Sequence, residues 1–248
     1  MKAILERDFF QFAKRKRYYS MRTLAVALPL GILLLAMSVA DLRDDQLGEF
    51  VFATTAWPVV CFAALLSPGM TAGLLVEERR DNRLDVLRST PMAAWQIVVG
   101  RWFSRVALLW TMILAALPLC ASSLLFSGVS PGQFLDVAVI ALLTVPLFSS
   151  LALLVSSGGG DLGAVQRTAN SLTIALLILP ILGLGGFLRG SRDVIRDIVL
   201  CVAALDPLVV LVSTIDGRSN ANWPAPPLVL FVAMGAAVTF ACVALSVR

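Results

Sequence analysis

Val137-Ala-Val-Ile-Ala-Leu-Leu-Thr-Val-Pro-Leu-Phe-Ser-Ser-Leu-Ala-Leu-Leu-Val-Ser-Ser157 carries no charged residue. At ~1.5 Å per helical residue it is long enough to cross the ~30 Å hydrocarbon core of a bilayer. Pro146 sits in its middle. In a soluble helix that proline costs about 3 kcal/mol, whereas between packed membrane helices a neighbour can satisfy the carbonyl it leaves free. The stretch therefore reads as a kinked membrane span.

Outward from it, the same pattern repeats. Towards the N-terminus lie the uncharged runs Val106–Phe126, Phe50–Val76 and Leu24–Ala40; towards the C-terminus lie Thr168–Leu188 and Leu228–Val247. Prolines 29, 58, 68, 118 and 180 fall inside them as well. Ser38-Val39-Ala40 before Asp41 has the look of a signal cleavage site. The basic stretch ahead of it is too long for a signal n-region, however, and the apolar run exceeds the usual ~7–15 residues, so a retained anchor is expected. The expectation is an all-α integral membrane protein, a single domain over 1–248. Its six spans fall at about 24–40, 50–76, 102–126, 134–157, 168–188 and 226–247.

Composition agrees. Over the 248 residues, 58% are apolar and 15% charged, and the mean hydropathy is +0.87. A soluble domain of this make-up could not cover itself with polar surface. Histidine is absent, which removes imidazole bases, ligands and near-neutral switches. Cys61, Cys120, Cys201 and Cys242 have neither metal-knuckle nor redox spacing and read as small buried apolar residues. The net charge of +4 reads as basic loops facing the cytoplasm and anionic lipid, not as a nucleic-acid surface.

Orientation follows from the basic residues between spans. With the N-terminus inside, the inner segments hold 15 of the 20 Lys and Arg. That bias places both termini in the cytoplasm of a multi-pass protein of the cell (inner) membrane. Residues 2–22 stand apart: Leu5, Phe9 and Phe12 recur at helical spacing beside Lys14, Arg15, Lys16 and Arg17. This is an amphipathic helix suited to the membrane surface, its partner being anionic lipid. Residues 193–215 are apolar but broken by Arg196, Asp197 and Asp206-Pro207. They read as two short outer helices, 193–205 and 207–215, re-entrant or surface-lying, with a seventh span through 194–215 as the competing arrangement.

The spans hold no charge with which to use an ion gradient; Thr144, Ser149, Ser150 and Asn170 are their polar candidates, of the kind that commonly serves helix packing. Arg105 and Asp136 sit at span ends and can snorkel. Gly69-Met-Thr-Ala-Gly73 permits close helix approach within one subunit or between two. No Gly-Lys pair exists, so the chain has no P-loop for ATP. An intramembrane enzyme would need convergent acids, Cys or His that the runs do not supply, and no catalytic, cofactor or metal residue is expected.

The informative loop is Glu77-Glu-Arg-Arg-Asp-Asn-Arg-Leu-Asp-Val-Leu-Arg-Ser-Thr-Pro-Met92. Leu84 and Leu87 share one helix face, with Arg80 and Arg83 beside it and Arg88 at the following turn. Glu78 precedes this helix, where negative charge suits the N-terminus. Thr90-Pro91 restarts the chain as a capping residue followed by proline at the first helical position. The next helix, from Pro91 to Gly100, carries Trp95, Ile97 and Val98. The product is a knob between spans two and three that suits a cytoplasmic protein partner; a solvated charged turn fits the same pattern.

This loop resembles that of the membrane permeases of type-two ABC transporters. The match rests on Glu78, Leu84, Asp85, Leu87, Thr90, Pro91, Gly100 and Arg101, with departures at Arg80 and at Asn82-Arg83. Leu205-Asp206-Pro207 is similar to the family's Leu-Asn-Pro, and the basic surface helix and six-span layout extend the likeness over the whole chain. The resemblance implies a non-enzymatic permease subunit, working as a homo- or heterodimer. A separate cytoplasmic ABC ATPase would bind the ATP and Mg and dock on the coupling helix through Glu78, Arg80, Arg83, Leu84, Leu87, Arg88, Thr90 and Pro91. The family leans to export; the substrate is not legible. A non-transporting membrane scaffold that docks a cytoplasmic partner is the alternative from another class. For the topology, cysteines placed at positions 2 and 248 should resist an impermeant label in intact cells, and labelling at 248 alone would require an odd number of spans.

Overall fold

The computed structural model describes residues 16–39, 47–74, 76, 94–125, 129–187, 203–216 and 226–247. Every regular element among them is helical. In chain order these are α1 (Lys16–Val39), α2 (Leu47–Thr71), α3 (Ala94–Ala121) with a 3-10 turn (Ser122–Leu125), α4 (Pro131–Ser157), α5 (Leu162–Phe187), α6 (Pro207–Asp216) and α7 (Pro227–Val247). Five of them, α1, α2, α3 with its 3-10 turn, α4 and α7, are long and apolar enough to cross a membrane. Helix α5 has 26 residues and covers the run expected as a further span.

The local reasons for these boundaries are visible. Ser130 caps α4: its Oγ accepts from the Gln133 N–H at 3.2 Å, and Gln133 Oε1 accepts from the Ser130 N–H at 2.9 Å. Pro131 then occupies the first helical position, where its missing N–H is no loss. At the other end Gly159 and Gly160 adopt φ of 79° and 128°. A side chain would be strained there, so the Gly158–Gly160 cluster reverses the chain directly into α5.

Helix α4 is the centre. It packs against α2, α3, α5, α6 and α7, and 61% of its apolar window is buried, against 17% of that of α7 and 22% of that of α1. Phe148, Ile140 and Leu153 of α4 lie fully buried with Phe52 of α2, Leu108 and Met112 of α3, Leu211 of α6 and Phe231 of α7. Helix α1 packs on α2 and α3, where the Tyr18 hydroxyl lies 2.6 Å from Thr111 Oγ1.

Pro146 shows how a proline is tolerated here. Lacking an N–H, it cannot bond the Leu142 carbonyl one turn back. The indole N–H of Trp110 on α3 donates to that oxygen at 2.8 Å. The hydroxyls of Thr144 and Ser150 bond back to the Ile140 and Leu147 carbonyls of their own helix. They therefore serve α4 itself, as packing residues do.

Two boundaries differ from the sequence reading, and a third agrees with it. Lys16–Arg22, placed there at the end of a surface helix, continue unbroken into the first span as α1. Residues 2–15, with Leu5, Phe9, Phe12, Lys14 and Arg15, lie outside the described residues. The helix carrying Trp95, Ile97 and Val98 does not stop at Gly100 but runs on through span three, because nothing between Ala94 and Ala121 breaks the backbone ladder before Pro118. A single helix through 194–215 is excluded. The chain turns at Ala204–Leu205, the Asp206 carboxylate accepts from the Leu208 N–H at 2.9 Å, and α6 starts at Pro207. Ten residues reach only about 15 Å, and α6 is packed within the bundle, with Val210 and Leu211 fully buried.

Trp110→Phe should lower stability by about 1–2 kcal/mol, since it leaves a carbonyl unpaired away from water. In a Pro146→Ala background, where the substituted residue supplies its own backbone N–H, the same change should cost markedly less. Thermal unfolding of the four proteins in detergent measures the coupling; equal losses in both backgrounds would rule out this account of the Trp110 contact.

Candidate functional site

The expected coupling residues Glu78, Arg80, Arg83, Leu84, Leu87, Arg88, Thr90 and Pro91 lie outside the described residues, so the site is built from the two helices that flank them in sequence. Helix α2 precedes them and α3 follows, and the two pack along each other. The last carbonyls of any helix have no partner in their own ladder. At the end of α2 these are satisfied from outside: Arg105 Nη1 on α3 donates to the Met70 carbonyl at 3.2 Å, and Gln166 Nε2 on α5 donates to the Gly69 carbonyl at 3.3 Å. The guanidinium also places positive charge at the negative end of the α2 dipole.

Gly69 faces α5 within the same chain: a Cβ there would stand 3.9 Å from Gln166 Nε2, an ordinary van der Waals distance. Beyond it, Ala72 and Val76 form a second small core with Ala152 of α4 and Val165 and Ala169 of α5. The strand of chain that enters the knob is thus held by α3, α4 and α5 together. Sequence reading placed Arg105 at a span end but had no means of finding its acceptor, which lies 35 residues away.

A polar face opens on the neighbouring helix. Gln166, Arg167, Thr168 and Ser171 on the first turns of α5 are exposed. Their fixed contacts are largely local, such as Arg167 Nε to the Gly163 carbonyl at 3.0 Å and Ser171 Oγ to the Thr168 carbonyl at 3.0 Å. Asn170 Oδ1 is buried and accepts no hydrogen bond among the described residues. Such a face is costly against hydrocarbon and suits water or another protein. Deeper in the bundle, Asp206 is 3% exposed; one oxygen caps α6 and the other has no hydrogen-bond partner among the described residues. Asp136, at the opposite end of α4 from the knob, is half-buried.

Among the described residues no three Cys, Asp or Glu side chains converge as a metal site requires. Cys120 and Cys242 are buried and Cys61 half-buried, all as free thiols. The described arrangement joins α2 to α3 and α5 and presents polar side chains on the first turns of α5.

A family model described as ABC-2 type transporter matches residues 1–217. No curated protein matches the chain.

Arg105→Met should destabilise the fold by about 1–3 kcal/mol, the usual worth of a charge-assisted hydrogen bond. Arg105→Lys should recover part of that, and Gln166→Leu should cost less because its bond is neutral. Chemical denaturation in micelles ranks the variants; wild-type stability in Arg105→Met would mean that the α2 end is held by packing alone.

Proposed function

The chain belongs to the ABC-2 type transporter family, and from that premise we propose that it is the permease subunit of an ATP-driven exporter coupled through residues 77–91 to a separate ATPase. ATP and Mg would be bound by that partner. Six spans, α1 to α5 and α7, would lie in the cell (inner) membrane with both termini cytoplasmic. Helix α6 would then reach half-way through the bilayer from the outer side.

The observation that carries the reading is the clamp at the end of α2. A knob at the tip of two independently mobile helices would absorb a partner's movement. Here the Arg105–Met70 bond joins α2 to α3, and the Gln166–Gly69 bond joins α2 to α5. A push on the knob is then passed to three helices at once and, through them, to α4. Closure of the ATPase pair on ATP would bias these helices between two arrangements, which is how a remote ligand shifts an equilibrium.

The polar face of α5 supports a second copy, identical or related. Gln166 and Arg167 lie just outside the expected span and Thr168 and Ser171 at its start, where two permeases would meet beside a water-accessible route. Arg167 and Ser171 lie one helical turn apart, so the route would begin beside the knob.

A Leu84→Asp/Leu87→Asp double change should leave a folded, inserted permease, because neither side chain is needed to cross the bilayer. It should remove the apolar anchors of the interface at about 2 kcal/mol each, several hundredfold in affinity if additive. Pull-down of the ATPase and its permease-stimulated hydrolysis are the readouts. Full binding with full stimulation would reduce the loop to a solvated turn and leave the exporter reading without its coupling element.

A further inference from the structure

Helices α3, α4 and α7 do not close on one another along their whole length. A groove of about 690 Å³ runs between them. Its α3 wall is built by Trp95, Trp102 and Trp110, its floor includes Pro146 of α4, and its α7 wall is formed around Gly235 and Phe240. The groove exists because bulky and small residues face each other across it. A Cβ built on Gly235 meets no atom within 4 Å, while the indoles of α3 stand out from the opposite side.

We propose that this groove holds one phospholipid, with an acyl chain laid along Trp102 and Trp110 and the headgroup at the level of Trp95. Length is the first argument. From Trp95 to Trp110 the groove runs about 22 Å along α3, the depth of one leaflet of a bilayer that is ~40–45 Å thick with its headgroups. Cross-section is the second. A helix from a second copy, ~10 Å wide and of the same length, would displace on the order of 1,700 Å³. Only part of such a helix would sit in the groove, whereas a single extended chain lies within it.

Chemistry is the third argument. Apart from the indoles and the hydroxyl of Thr239, the lining is apolar, and it continues into Phe103 and Phe240, which are themselves exposed. Trp95, half-exposed at the end of α3, has the amphipathic ring that settles at headgroup level. Left unfilled, the aromatic wall would lose its dispersion contacts; an ordered chain restores them. Nothing here depends on the ATPase or on the direction of transport.

The test uses the full-length chain with Trp57 and Trp223 replaced by Phe, so that Trp95, Trp102 and Trp110 report the groove. Reconstituted into phosphatidylcholine with brominated acyl chains, this protein should lose fluorescence relative to unbrominated lipid. Gly235→Phe, which fills the groove, should restore most of the emission, and so should Thr239→Phe one turn away. Gly31→Phe is the control, because a Cβ at Gly31 also meets nothing within 4 Å but lies on α1; it should leave quenching unchanged. In native mass spectrometry one phosphatidylcholine per chain should be retained by the control and lost from both groove variants. Equal quenching and equal lipid retention in groove and control variants would overturn the proposal. So would a disulfide joining two copies through Gly235→Cys, since that would seat a second permease where the lipid is placed.

Discussion

Inside hydrocarbon every backbone carbonyl must find a donor within the protein, and in this chain prolines repeatedly take donors away. The pairing of α3 with α4 answers that constraint at Pro146. Pro146 frees the Leu142 carbonyl, and the Trp110 indole fills it. One side chain thereby fixes the register of the third span against the central one. Trp110 also stacks edge-on to Phe103, with ring centroids 6.0 Å apart, so the same residue ties α3 to α4 and shapes the groove beside α7. The remaining helices arrange themselves around α4, which touches five of them.

The same physics recurs at the end of α2. A helix that stops inside a bundle exposes unpaired carbonyls, and those of α2 are met by Arg105 and Gln166. The capping groups come from two different helices, so ending α2 and joining three helices is one event. The coupling we propose needs stiffness where the loop meets the spans. Here the stiffness comes from bonds that the backbone required in any case. Helix α6 repeats the theme at its start: the Asp206 side chain supplies an acceptor to the first turn, which lets a short helix begin within the buried part of the bundle without orphaned N–H groups.

The two unlike surfaces of the molecule follow from this arrangement. On the α5 side, polar residues stay exposed because α2 and α4 occupy only the Val165, Ala169, Thr173 and Leu177 face. On the α7 side, small residues and indoles leave apolar space open. A bilayer can fill the second and is poorly suited to the first, which is why one face points to a lipid and the other to water or a second permease.

The sequence alone determined that the chain is a helical membrane protein, where most helices lie, and that Asp206-Pro207 breaks the 194–215 run. These are local matters: a charge-free run of sufficient length, a proline or a glycine acts on its own segment. It also carried the family likeness, through residues of the 77–91 loop and the flanking Gly100-Arg101. It did not reveal the acceptor of Arg105, the donor to Leu142 or the groove, because each joins residues distant in sequence. Nor did it reveal which span is central. Helices α4 and α7 are almost equally apolar, yet 61% of the apolar window of α4 is buried and only 17% of that of α7. In water, apolarity marks the core; in a bilayer the lipid is as apolar as the core, so only tertiary packing decides which face meets a neighbouring helix and which meets an acyl chain.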